Sequence, residues 1–131
     1  MKIFTHGLEC EFYFSQPDSE GWMRTTVHVK AAAFDGSFTC GVEEEEWKAF
    51  VELLKHLETS IGKDVEASWS NMEDNIEFQF RLSSRGTLEG TYRFSPEGSG
   101  LGPTLSGNFQ LDQTFLQPWA RAAQQALPNA R

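Results

Sequence analysis

The sequence predicts an α+β fold: an antiparallel sheet of about seven strands curved over one central amphipathic helix, with a short C-terminal helix. Two observations carry this. Between Glu43 and Gly62, Trp47, Phe50, Val51, Leu54, Leu57 and Ile61 recur at spacings of three and four, which places them on one side of a helix. On either side of it, apolar and polar residues alternate in short runs broken by turn residues, the pattern of half-buried strands. The connections between those runs are short, which favours antiparallel pairing.

In chain order, Leu8 to Phe14 alternates Cys10, Phe12 and Phe14 against Glu9, Glu11 and Tyr13, and ends in the turn segment Gln16–Gly21. Trp22 to Phe34 puts Met23, Thr25, Val27, Val29, Ala31 and Ala33 on one face and Arg24, Thr26, His28 and Lys30 on the other. Asp35-Gly36 is the expected hairpin turn, and Phe38, Cys40 and Val42 line the return strand. The helix follows, with Gly41 as its expected N-cap and Gly62 as the residue that stops it. Val65, Ala67 and Trp69 mark the next strand. After the polar turn Asn71–Asn75, Ile76, Phe78, Phe80 and Leu82 mark another. Arg85-Gly86 turns the chain into Thr87–Ser95, with Leu88, Gly90, Tyr92 and Phe94 inward. A glycine-rich loop, Pro96–Pro103, precedes the last strand, with Leu105, Gly107, Phe109 and Leu111 inward. Glycines at two inward positions imply close approach by a bulky group, for which Trp47 or Phe50 of the helix are the candidates. Thr114 to Leu127 reads as the terminal helix, with Phe115, Leu116, Trp119, Ala120 and Ala123 as its apolar side, and Pro128–Arg131 as a frayed tail.

At 131 residues the chain is expected to form a single domain, 1–131, large enough to need no metal or disulfide staple. The net charge is −8 and the pI about 4.8. That balance argues against nucleic acid as a partner and suits a basic protein. The excess is localised. Glu43 to Glu77 holds eleven acids against three lysines, while the rest of the chain is balanced at eight of each sign. No apolar run is long enough to span a bilayer, and Met1–Cys10 lacks the apolar core of a signal peptide, so the expectation is a cytoplasmic protein with reduced thiols. Cys10 and Cys40 could pair only if their strands were neighbours.

No motif in the sequence assembles catalytic or cofactor chemistry. His6, His28 and His56 are scattered and read as surface residues. Cys10 and Cys40 sit at apolar positions of their strands with no basic neighbourhood to activate a thiol. Glu9, Glu11, Glu77 and Glu89 face outward from strands and do not converge. Gly98–Gly102 lacks the Lys-Ser/Thr of a phosphate loop and leads into a strand. The chain is therefore expected not to be an enzyme and to hold no metal or cofactor. The remaining feature is the acidic region, Glu43, Glu44, Glu45, Glu46, Asp64, Glu66, Glu73 and Asp74. Part of it has a structural explanation, since carboxylates in a first helical turn favour the helix dipole. Its alternative role is an acidic surface that steers a basic partner.

The segment Leu111-Asp112-Gln113-Thr114-Phe115-Leu116, at the exit of the last strand, resembles the C-terminal end of the WapI-like immunity proteins of bacterial polymorphic toxin systems. Trp22, the glutamate-led helix ending Glu58-Thr59-Ser60-Ile61-Gly62, and the strands around Arg85-Gly86 and Gly90 extend the likeness over Leu8 to Trp119. The resemblance implies a small cytoplasmic protein that binds and blocks a cognate toxin domain, often a nuclease, and it carries no catalytic residue. Asp112 suits the N-cap of the helix that follows it. Two functions are expected in consequence: a non-enzymatic immunity protein acting by occlusion, or a small-molecule binder with an apolar cavity between sheet and helix.

Overall fold

The computed structural model describes residues 1–5 and 7–128, so His6 and the end of the C-terminal tail lie outside the described residues. Eight strands surround one long helix. They are β1 (Lys2–Thr5), β2 (Leu8–Phe14), β3 (Trp22–Ala31), β4 (Phe34–Glu43), then α1 (Glu44–Thr59), then β5 (Val65–Ser70), β6 (Ile76–Leu82), β7 (Thr87–Phe94) and β8 (Leu105–Asp112). A 3-10 turn, Gln113–Phe115, leads into α2 (Leu116–Gln125). The α+β class, the central helix and the short C-terminal helix are as the sequence predicts. The strands form two four-stranded antiparallel meanders, β1-β2-β3-β4 and β5-β6-β7-β8. The helix is inserted between β4 and β5, which leaves each at the edge of its own sheet. The additional strand is β1, four residues whose Ile3 and Thr5 alternate inward.

The apolar stripe of α1 is what both sheets bury. Trp47, Phe50, Leu54 and Leu57 are fully enclosed. Phe12 of the first sheet lies 5.5 Å from the Trp47 ring, and Phe78 of the second lies 5.6 Å from Phe50, stacked. Phe12 and Phe78 themselves meet edge-on at 6.4 Å, so the two sheets touch beside the helix. Such tilted and edge contacts are the preferred aromatic geometries and add to the burial itself. The terminal helix closes the remaining side: Trp47 donates its indole N–H to the Ala123 carbonyl at 2.8 Å, and Trp119 packs edge-on against Phe109 at 5.8 Å. Asp112 caps the turn into that helix, accepting the Thr114 amide at 2.9 Å, and this bond holds its carboxyl below the usual range. Ile61, expected on the stripe, lies past the end of α1 and is exposed. The chain turns there through Gly62 at φ +94, with Lys63 donating to the Ser60 carbonyl.

Three local expectations are corrected. The β3–β4 hairpin turns at Ala32-Ala33, not at Asp35-Gly36, with Ala31 opposite Phe34 and Ala32 at φ 53. This register pairs all ten residues of each strand and sets Met23 against Val42. A turn at Asp35-Gly36 would leave Trp22–Val27 without a partner on β4 and shorten the ladder from ten pairs to seven, which outweighs the local preference for Asp-Gly. The N-cap of α1 is Glu43, not Gly41, because β4 runs on to Glu43 before the backbone becomes helical. Finally, the bulk over Gly90 and Gly107 comes from the neighbouring strand and not from α1. Gly90 faces Phe109 and Gly107 faces Tyr92 in the β7–β8 register, and each ring lies over the glycine opposite. A Cβ on Gly90 would collide with the Phe109 ring. Gly90→Ala is therefore expected to cost about 1–3 kcal/mol by overpacking, read as a lower urea midpoint. Adding Phe109→Leu should recover part of that loss. A neutral Gly90→Ala would contradict the packing.

Candidate partner-binding surface

The acidic segment is first of all a joint between α1 and the β5–β6 turn. Glu43 enters the helix with extended backbone (φ −76, ψ 142), and the Glu46 carboxylate accepts its amide at 2.8 Å. The other Glu46 oxygen accepts the Met72 amide from the β5–β6 turn, and the Glu46 carbonyl accepts the Trp69 indole N–H at 2.8 Å. Two of these three partners, the Glu43 and Met72 amides, are backbone donors that a helix start or a tight turn would otherwise leave to solvent. Glu44 and Glu45 share Lys48 at 3.4 and 3.1 Å, and the pair, Glu45 foremost, holds the Lys48 ammonium above its usual range.

The β5–β6 turn is fixed from the other side by two polar residues that the sequence does not single out. Asn71 is buried. Its Oδ1 accepts the amides of Asn75 and Ile76 at 2.8 and 2.9 Å, and its Nδ2 donates to the Gly41 carbonyl and to Asn75 Oδ1. Asn75 passes the network on to the Ser95 and Pro96 carbonyls. Arg93 finds an acceptor for each of its five N–H groups: Glu77, Asp74 through both side chain and carbonyl, and Ser95. Hydrogen bonding to Glu77 first, then Asp74, keeps its guanidinium pKa raised. Asp74, at φ 58, is thus held in an uncommon backbone conformation by its ion pair at 2.6 Å.

The eight carboxylates singled out in the sequence fall into separate groups. Glu43, Glu46, Glu73 and Asp74 gather around the joint, where a Cβ on Gly41 would sit 3.4 Å from Glu73. Glu44 and Glu45 lie on the first turn of α1. Asp64 and Glu66 stand at the opposite end of β5, about 20 Å away along a strand of that length. There Asp64 accepts the Ser84 amide at 2.9 Å and Glu66 pairs with Arg81 at 2.7 Å. Glu45 and Glu73 are the most open of those near the joint.

A further surface emerges only from the register of β5–β8. Glu66, Arg81, Glu89 and Gln110 stand in one row across the outer face of the second sheet, and Ser68, Gln79, Thr91 and Asn108 in the next. Between the rows runs a trough of about 600 Å³, floored by the row Ala67, Phe80, Gly90 and Phe109. Each strand shows the outward parity, but the alignment of four outward residues into a row depends on register, which the sequence leaves unspecified.

Neither thiol is placed for chemistry. Cys10 stands opposite Val29 and Cys40 opposite Thr25, so β3 lies between them. Two strand spacings, about 9–10 Å, exceed what a disulfide bridges. Burial pushes the Cys40 thiol up to about 12 and Cys10 higher still, so both are protonated at neutral pH. His28 is exposed beside Asp35 at 2.7 Å, and His56 is exposed on α1. Among the described residues no group of three or more His, Cys, Asp or Glu side chains is placed to hold a metal ion, and no helix is long and apolar enough to cross a membrane.

No curated protein matches the chain. Several solved chains resemble it distantly, two of them as follows. A protein of unknown function from the DUF155 family of Prochlorococcus sp. NATL2A is 11% identical, with 95% of this chain and 97% of that one covered and a TM-score of 0.39. WHY3 from Arabidopsis thaliana is 9% identical, with 99% and 86% covered and a TM-score of 0.44. Both likenesses are too slight to establish a shared fold or role. The family comparison is of another kind: the model of the immunity protein WapI-like family matches residues 4–130, nearly the whole chain. It takes in the strand exit at Asp112 and the glutamate-led helix on which the resemblance rests, and the chain belongs to the WapI-like immunity protein family.

Proposed function

We propose that this chain acts in the cytoplasm as a non-enzymatic immunity protein, binding a cognate toxin domain and covering the surface that domain works with. The family match over residues 4–130 is the observation that carries the reading. The net charge of −8 supports a basic toxin domain as the partner, because opposite potentials raise the rate of encounter. The joint between α1 and the β5–β6 turn supplies a surface for it. Its backbone is held by Glu46, Asn71 and Arg93, so little ordering remains to be done on binding, while Glu45 and Glu73 stay open to a partner. The small-molecule reading draws no comparable support: the space between α1 and the sheets is occupied by the rings of Trp47, Phe50, Trp69 and Phe78 at 4.9–5.8 Å from one another.

The test identifies the toxin domain by pull-down from the native cell and measures its binding to the chain by biolayer interferometry. A stable complex is expected. Glu45→Lys with Glu73→Lys should slow association, most strongly at low salt, and leave the fold intact because neither side chain holds the joint. Glu46 is left unchanged in that variant, since reversing it would break the helix start. A complex whose association rate is indifferent to both changes would move the interface elsewhere, and absence of any complex would refute the reading.

A further inference from the structure

The geometry points to β4 as a self-complementary edge through which two copies of this chain pair, antiparallel, into one continuous eight-stranded sheet. The inference does not depend on the toxin reading.

An edge strand exposes a row of unpaired backbone groups, and proteins usually blunt such edges with short length, lysine, proline or a bulge. The other edges here are shorter: β1 has four residues, β5 six and β8 eight, whereas the exposed charge of β4, Asp35, is paired with His28 of β3 at 2.7 Å. β4 has ten residues, no lysine, no proline and an unbroken register with β3. Its first four residues are exposed on both faces.

Which backbone groups are free follows from two bonds. The Glu44 amide donates to the Gly21 carbonyl at 2.8 Å, continuing the β3–β4 ladder, so the even-numbered residues of β4 bond inward to β3. The Gly41 carbonyl instead meets Asn71 Nδ2 at 3.3 Å on the far side, so the odd-numbered residues point outward. Asn71 covers Gly41. Asp35, Ser37 and Thr39 therefore present their N–H and C=O groups at the open edge.

The segment Phe34-Asp35-Gly36-Ser37-Phe38 is nearly palindromic. With Gly36 on a two-fold axis, Asp35 of one copy lies opposite Ser37 of the other, and these are the residues whose backbone groups point outward. Two such pairs give four ladder hydrogen bonds. The same register sets Phe34 against Phe38 twice, in the close, non-hydrogen-bonded positions where aromatic pairs interact best. Phe34 is 65% exposed in the single chain, the most exposed phenylalanine of the fold, and Phe38 is half-buried. No like charges fall directly opposite. An isologous contact of this kind closes on itself, which explains how an unprotected edge avoids open-ended stacking.

The test places a cysteine on the axis. A Cβ at Gly36 meets nothing within 4 Å, so Gly36→Cys should fold as the parent does. Under mild oxidation it is expected to give a band of twice the 14.8 kDa chain on a non-reducing gel, faster than Ser99→Cys on the exposed loop. The unmodified chain should sediment as a concentration-dependent dimer that tightens with salt, because each copy carries −8. Phe34→Lys, at an exposed side chain, should abolish both signals while leaving the melting temperature unchanged. A chain that stays monomeric at millimolar concentration, or Gly36→Cys that cross-links no faster than Ser99→Cys, would overturn the proposal. So would cross-linking of Gly36→Cys to a toxin domain and not to itself, which would assign the edge to that partner.

Discussion

Trp47→Ala is expected to remove about 3–5 kcal/mol of folding free energy, a large part of the 5–15 kcal/mol typical of a domain, roughly. Trp47 is fully buried and touches both sheets and the second helix. Its ring packs against Phe12, Phe14, Phe50 and Trp69 at 5.5, 4.6, 5.0 and 5.8 Å, and its N–H satisfies the Ala123 carbonyl. Alanine would leave a void that four rigid rings cannot close, and would strand a buried carbonyl at the end of α2. Trp47→Phe separates the two losses: it keeps most of the buried area and gives up the hydrogen bond, so it should fall between wild type and alanine. Urea unfolding followed by circular dichroism measures both. A loss under about 1 kcal/mol for the alanine variant would contradict the central position of this ring.

Asn71→Ala is expected to be nearly as damaging, for a different reason. The side chain buries almost no apolar area, yet it holds four groups that have no other partner: the amides of Asn75 and Ile76, the Gly41 carbonyl and Asn75 Oδ1. Leaving a buried polar group unmade costs about 1–3 kcal/mol each, so a total of about 3 kcal/mol is the expected scale after local relaxation. Asn71→Asp keeps the bonds accepted from the Asn75 and Ile76 amides but sets a buried carboxylate oxygen against the Gly41 carbonyl and Asn75 Oδ1, both acceptors, and should be destabilising as well. Hydrogen exchange adds a spatial check. The β5–β6 turn should lose protection in Asn71→Ala before β2 and β3 do, because this network ties the second sheet to β4 and the joint. Uniform loss across both sheets would contradict that assignment.

The helix, the faces of the strands and the cap at Asp112 were legible in the sequence because each rests on a local periodicity or a local bond. Trp47, Phe50, Leu54 and Leu57 repeat every three or four residues, and that stripe is what the fold buries. What could not be read depends on which strand lies beside which. The β3–β4 turn moved three residues from its Asp-Gly signal because pairing ten residues outweighs a turn preference. Gly90 and Gly107 announced a close approach, but the rings above them belong to the adjacent strand, a matter of register. The acidic region was legible as a concentration of charge. Its division could not be read, since the length of β5 separates Asp64 and Glu66 from the joint, and ion pairs with Arg93 and Lys48 engage Asp74, Glu44 and Glu45. Asn71, inconspicuous as one polar residue in a polar turn, becomes central only when Gly41 and Ile76 are brought to it.

The most direct test of the immunity reading is growth. A toxin domain that co-purifies with this chain from its native cell is expressed in a sensitive cell from an inducible promoter, with and without the chain supplied from a second plasmid. The chain should restore growth, Trp47→Ala should fail to do so at a temperature where it is unfolded, and an unrelated acidic protein of equal charge should give no protection. Continued toxicity in cells that contain the chain soluble and folded would contradict the account.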